Sequence, residues 1–446
     1  MSYHSKMSAR ATCLTQWLDL KKEQGADTEA LEQAFEAVLD DFVRKAHATP
    51  GDAGLATREP DDLEAIRALR PHGPRVIRRA MSSDILFDRI RGAWLGRAAG
   101  CVLGIPCEGM SRDQIATACT VSGQKYPLTG YWLSDPKPGQ ANGLHYGVTP
   151  RKRFLQPWMR DVGADDDLAY TQLGLLILQE HGLDFTSANV GEAWLRYLPT
   201  ACTAEKVALQ NLKDGMVPPE TARTDDNPFA EWIGADIRSD PWGYAAPGCP
   251  ERAAEFAWRD ARVSHVRNGI YGEMYFSAVI ATALVEDSGT PAASVERSLE
   301  AGLAEIPKHC RMAETVRETM EWCREESAWK ETVGRILVRY RGMSPVHTLN
   351  NAALTIAGLM YGRGRFGPTI GLTVSAGLDT DCTAATAGSI LGAILGAKRL
   401  PARWRTPLGK SSQTYIIGRR RFGHDTVARS FLRIAQQTRA ACGVAL

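Results

Sequence analysis

No stretch of this sequence is apolar for long enough to span a bilayer. The longest run of small apolar residues, Ala384 to Ala397, falls short of the roughly 20 residues a spanning helix needs and follows charged residues. Charge of one sign is also lacking. The 446 residues include 53 Lys and Arg against 51 Asp and Glu, a formal net charge of +2. That balance gives no extended field for nucleic acid or an anionic membrane, and no contact with either is expected. The one dense basic run, Arg419-Arg420-Arg421, reads as a solvated loop, with phosphate contact as the alternative. The ten cysteines contain no CxxC pair and no ladder of short spacings, which fits reduced thiols rather than a disulfide framework. Met1 to Ala11 lacks the apolar core of a signal peptide. A soluble cytoplasmic protein is expected, as a monomer or small homo-oligomer. There is no P-loop, and no Rossmann fingerprint with the strand it requires, which argues against a kinase or dehydrogenase. Period-two strand patterns are nearly absent, so the fold class is all-α. The repeated short loops suggest one compact orthogonal helical bundle.

Two acidic clusters and two glycine stripes stand out instead. The first cluster is Asp165-Asp166-Asp167. The second is Asp379-Thr380-Asp381, followed by Cys382-Thr383 and by Gly388, Gly392 and Gly396. Gly92, Gly96, Gly100 and Gly104 repeat the same spacing of four. Interior glycine costs a helix about 1 kcal/mol each relative to alanine, and close approach of another backbone is the usual compensation. The two stripes predict tight packing against each other or a shared neighbour. Clustered carboxylates repel unless a cation lies between them, so the two clusters read as halves of one oxygen-ligand site, best suited to magnesium.

Residues 1–85 read as a helical extension. Asp27 or Thr28 can cap a helix with Leu31, Phe35, Val38, Leu39 and Phe42 on one face, and a linker at Thr49-Pro50-Gly51-Asp52-Ala53-Gly54 follows. Residues 86–446 read as the main domain, with turn-rich short helices at about 203–262 as an insertion over one face. Helices are expected over 250–285, 314–340, 344–361 and 366–375.

Three segments together resemble the ADP-ribosylglycohydrolase family, also called the DraG-like or ADP-ribosyl-acceptor hydrolase family. GRAAGCVLGIPCE (96–108) resembles its glycine-rich opening helix, DDDLAY (165–170) its early metal motif, and GLDTDCTAATAGSILGAILG (377–396) its late metal motif. The likeness covers about residues 88–440 and is closest to a branch with a long N-terminal helical extension. It implies an all-α fold, two magnesium ions (manganese as the alternative), and hydrolysis of a glycosidic bond at the anomeric carbon of a ribosyl group. By position, Asp165, Asp166, Asp167, Asp379, Asp381 and Thr383 would be the metal ligands. Cys101 stands where the family often has aspartate, Leu168 replaces a threonine, and Cys382 replaces a ligating threonine, which leaves the number of ions open.

An N-glycosidic bond breaks through an oxocarbenium-like state that water captures, and a carboxyl group can serve as acid or base. Glu108 and Asp166 are the catalytic candidates. His265, Asn268 and Gly272 share a helical spacing, with Tyr271 on a neighbouring face. With Glu231, Arg238 and Asp240 they are the candidates for substrate contact. Trp232, Trp242 and Tyr244 would either stack on a base or fill the core. His347, Asn350 and Asn351 would line the site or cap a helix. The expected function is magnesium-dependent cleavage of an N-ribosyl bond in a small riboside, nucleotide or NAD-derived molecule. The alternatives are an ADP-ribosyl-protein hydrolase, and a non-catalytic ADP-ribose- or nucleotide-binding protein on the same scaffold.

Overall fold

The computed structural model describes residues 3–49, 52–138 and 143–444. Met1, Ser2 and the Pro50-Gly51 of the expected linker lie outside the described residues. The chain forms two compact units, Met1–Ala56 and Thr57–Leu446. Among the described residues there are twenty α-helices and two short two-stranded antiparallel ribbons, so the all-α class holds. No described helix is long and apolar enough to cross a membrane.

The smaller unit holds the helices Tyr3–Glu23 and Glu29–Ala48. Thr28 occupies the N-cap of the second without a capping bond from its side chain. Its hydroxyl donates to Glu32 instead, and Asp27 accepts from the Glu29 amide at 3.1 Å. Leu31, Val38, Leu39 and Phe42 are exposed.

The larger unit begins well before residue 86. Glu59 is buried and accepts from the Arg311 amide and guanidinium, both at 2.8 Å, and from Asn268 at 2.7 Å. Arg70 and Arg75 both pair with buried Glu305, at 2.6 and 3.0 Å. These buried charges tie residues 57–85 to the main body, which is why the division falls at Ala56 rather than at 85.

The helices Ser83–Gly104 and Thr380–Leu395 form the centre of that body. Their glycine stripes face one another, as the spacing predicts. A Cβ added to Gly96 would lie 2.1 Å from the Gly388 carbonyl oxygen, and one on Gly388 would lie 2.2 Å from that of Gly96. Gly92 and Gly392 repeat the pairing, and a Cβ on Gly104 would lie 2.3 Å from the Asp381 amide nitrogen. The late acidic motif is thereby pressed against the end of the opening helix.

Two of the expected helices are divided. The stretch 250–285 is two helices, Pro250–Ala261 and Asn268–Ala283, separated by a turn in which Arg267 has φ +43°. The stretch 314–340 is likewise Arg311–Glu325 and Trp329–Arg339, whereas Phe366–Ser375 coincides with its expected bounds.

Candidate active site

Both acidic clusters sit at helix starts, where unpaired backbone amides favour negative charge. Asp165 is the N-cap of the helix Asp166–His181 and accepts from the Asp167 amide at 3.0 Å. Asp379 precedes Thr380–Leu395 and is oriented by a bond from its amide to Asn351 Oδ1 at 3.2 Å. Glu108 follows the short 3-10 turn Ile105–Cys107 that ends the opening helix. Reciprocal backbone bonds, Gly109 N to Leu378 O at 2.8 Å and Leu378 N to Met110 O at 3.0 Å, lock the Glu108 segment beside Asp379.

These elements converge on one cleft of about 140 Å³. Glu108, Asp165, Asp166, Asp379, Asp381 and Cys382 line its acidic end. Ligand atoms of Glu108, Asp379 and Asp381 lie within 4.8 Å of one another, as do those of Asp167, Asp381 and Cys382, and those of Cys101, Asp165 and Asp167. Asp379 and Asp381 are 5% and 4% exposed, and each leaves one carboxylate oxygen, Oδ1, buried without a partner. An unpaired buried carboxylate is costly, and a hard divalent cation would relieve it. The residues therefore fit a cation held by oxygens of Glu108, Asp379 and Asp381.

Desolvation of its carboxyl, then repulsion from Asp379 and Asp165, pushes Glu108 up to about 7, although the residue as a whole is exposed. Burial and Asp165 push Asp166 up to about 8, against a stabilising hydrogen bond from Tyr146. Burial opposes the His145 imidazolium, but its 2.7 Å bond to Asp165 and the surrounding carboxylates prevail and raise it. Both carboxyl values lie above the ordinary 4.5 and 3.8, so the folded cation-free protein keeps protons the unfolded chain has released. The contribution of these groups to stability is thus greatest below about pH 4 and is lost as pH rises to about 8. A cation at Glu108, Asp379 and Asp381 competes with the Glu108 proton, so its affinity should climb as pH rises through about 7 and binding should release protons. Calorimetry in buffers of different ionisation enthalpy measures both, and an affinity flat through that pH would contradict the assignment.

The opposite wall comes largely from the 203–262 segment. Thr203, Glu205, Trp232, Ile233, Gly234 and Ile237 line it, with Tyr146, Tyr170 and Cys202 beside them. Tyr146 stacks on Tyr415 with ring centroids 4.6 Å apart. Backbone strain concentrates here: Tyr146 and Thr203 have φ of +48° and +45°, and Leu378, next to Asp379, has +67°. Of these residues the sequence marked only Trp232.

None of the six expected substrate contacts lines the cleft. His265 lies before its helix, buried against Ser264 Oγ at 2.8 Å. Asn268 bridges Glu59 and Glu231 at 2.7 and 2.9 Å, and Tyr271 donates to the Pro60 carbonyl. Glu231 is held by Arg267 and Arg311 at 3.0 and 2.7 Å. Arg238 is buried among Glu205, Asp260 and Glu273 at 2.9, 2.6 and 3.5 Å. Asp240 accepts from Arg97 at 2.5 Å and Tyr244 at 2.7 Å. Trp242 and Tyr244 fill the core, the former stacked on Phe185 at 4.8 Å. Thr383 is buried behind the cleft lining, donating to the Asp379 carbonyl at 2.8 Å. His347 caps the helix Thr348–Gly362, accepting from Leu349, and Asn350 and Asn351 are buried at its start. Sequence spacing placed polar groups on faces but could not say whether a face met a cleft or another buried charge.

Replacing Arg238 with methionine should strip three buried carboxylates of their partner and cost roughly 3–5 kcal/mol of stability in urea unfolding. A loss of activity without a loss of stability would instead return Arg238 to the substrate.

The sequence profile of the ADP-ribosylglycohydrolase family matches residues 82–439. The chain belongs to that family. No curated protein matches the sequence. A solved ADP-ribosylglycohydrolase-related protein complex shares the family fold, with a TM-score of 0.52 at 19% identity over 80% of this chain and 99% of that one. The family is one of glycohydrolases, and the cleft that gathers its two acidic motifs is the candidate active site of this member.

Proposed function

We propose that this family member is a cation-dependent hydrolase of an N-ribosyl bond in a small molecule: a riboside, nucleotide or NAD-derived compound. The observation that carries this reading is the convergence of both acidic clusters on one small cleft, with two carboxylate oxygens left unpartnered at its floor. Ligand sites for whole drug-sized molecules run to roughly 300–1,000 Å³. A cleft of about 140 Å³ suits a ribosyl group alone, and the 203–262 wall narrows it against a side chain on a folded protein. Among the described residues no Lys or Arg lines it, so a diphosphate would lie outside.

Magnesium or manganese held by Glu108, Asp379 and Asp381 would supply Lewis acidity and counter-charge beside the anomeric carbon. Asp166, which holds its proton near neutral pH, donates it to the departing nitrogen as the C–N bond breaks. The resulting carboxylate then accepts a proton from the water that attacks the ribosyl carbon. Tyr146 orients Asp166 through its hydroxyl and is itself braced by its stack on Tyr415.

The deciding experiment is a mass-spectrometric screen of the purified chain against nucleosides, nucleotides, NAD and an ADP-ribosyl-arginine protein, with magnesium and with EDTA. Magnesium-dependent release of the base from a free riboside is expected. Efficient release from the intact protein, with no free riboside cleaved, would overturn the small-molecule reading.

A further inference from the structure

We infer that this centre binds one divalent cation rather than two, because two thiols, a guanidinium and an imidazole satisfy Asp165 and Asp167, and the third carboxylate of that cluster, Asp166, accepts from the Asp167 amide at 3.2 Å and belongs to no three-ligand group among the described residues. The inference rests on the reading above that a cation binds at all.

The two acidic clusters converge in space but differ in how their oxygens are met. Asp165 Oδ1 accepts from the Cys101 thiol at 3.2 Å and from the Asp167 amide at 3.0 Å, while its Oδ2 lies 2.7 Å from His145 Nε2. Asp167 Oδ1 accepts from Arg97 at 3.0 Å, and its Oδ2 accepts from the Cys382 thiol at 3.2 Å. All four oxygens of this pair have protein partners. Asp379 and Asp381 are the opposite case, each with a buried oxygen that nothing meets.

The partners of Asp165 and Asp167 are not easily moved aside. Arg97 is completely buried and also bonds to Asp240 at 2.5 Å, so releasing Asp167 would break a shared clamp. Its guanidinium supplies a fixed positive charge at Asp167, the role a second ion would have. Both remaining three-ligand groups contain a thiol, Cys382 in one and Cys101 in the other. Magnesium and manganese favour oxygen over sulfur. Among the described residues the Glu108, Asp379 and Asp381 group is the one made of carboxylates alone, and it contains both aspartates that keep an unpartnered buried oxygen.

The test is stoichiometry, which needs no substrate. Cation-free full-length protein is titrated with Mn²⁺, and bound ion is counted by calorimetry and by the loss of the free-Mn²⁺ paramagnetic signal. One ion per chain is expected. Two ions in the native sequence would overturn the inference and leave the proposed function standing. No ion would overturn both. The double variant Cys101→Asp, Cys382→Thr restores oxygen donors at both positions and should take up a second, weaker ion. If it folds, as judged by circular dichroism, and still binds only one, the role given to the thiols is wrong. If it does not fold, the count on the native chain still decides.

Discussion

Asp381→Ala should lower kcat/KM by about three orders of magnitude or more while the cation-free protein stays as stable as the native one or becomes more so. Asp167 and Asp381 each belong to two of the three ligand groups found among the described residues, and of the two only Asp381 belongs to the group made of carboxylates alone. Lewis-acid stabilisation is worth several kcal/mol, and each 1.36 kcal/mol is tenfold in rate. The stability argument has the opposite sign. Burial, then Glu108 and Asp379, raises the Asp381 carboxyl well above its ordinary range, and its Oδ1 is unpartnered. A buried acceptor without a partner costs about 1–3 kcal/mol, and alanine removes it without disturbing the helix. Thermal unfolding without cation, Mn²⁺ titration, and rates on the riboside found by the screen measure the three effects. Full activity retained in excess EDTA would sink the mechanism, and a large drop in melting temperature would sink the claim that this carboxylate is held for function against stability.

Gly100→Val should abolish the native fold. A Cβ at residue 100 would lie 1.9 Å from the Ala384 carbonyl oxygen and 2.3 Å from its carbonyl carbon. Both are backbone atoms of a buried helix, so no side-chain rotation relieves the clash. The helices would have to separate, opening the contacts at Gly96–Gly388 and Gly92–Gly392 and drawing Asp381 away from Glu108. Overpacking commonly costs 1–3 kcal/mol, and this case should exceed about 3 kcal/mol because the backbone itself must move. Gly334→Ala is the control. Nothing lies within 4 Å of a Cβ there, and it sits inside the helix Trp329–Arg339, so it should stabilise by roughly 0.5–1 kcal/mol. Denaturant unfolding followed by circular dichroism separates the two. Native stability in Gly100→Val would mean that the helices do not approach as described.

The glycine spacing and the acidic clusters were legible because they depend on local rules. A repeat of four puts residues on one helix face, and only close packing offsets so much interior glycine. The same locality explains the all-α class and the bounds of Phe366–Ser375. Breaks inside long apolar-periodic stretches were harder to see. The turn before Asn268 contains neither Gly nor Pro after Pro250, and it is held by the Arg267 amide donating to Asp61 at 2.7 Å, a partner remote in sequence.

Local rules therefore account for the helical class, the pair of glycine-faced helices and the acidic residues, five in the two motifs plus Glu108. Which of those acids stay open depends on the folded arrangement. Asp165 and Asp167 look the same as Asp379 and Asp381 along the chain, yet Cys101, His145, Arg97 and Cys382 meet the first pair and nothing meets one oxygen of each of the second. The same holds for Arg238, His265 and Asn268, whose polar groups turned inward, and for Tyr146, Tyr170 and Glu205, which reached the cleft. A residue type fixes what a side chain can bond to, but the bond itself depends on groups brought within about 3 Å by the fold, and those groups are scattered across the chain.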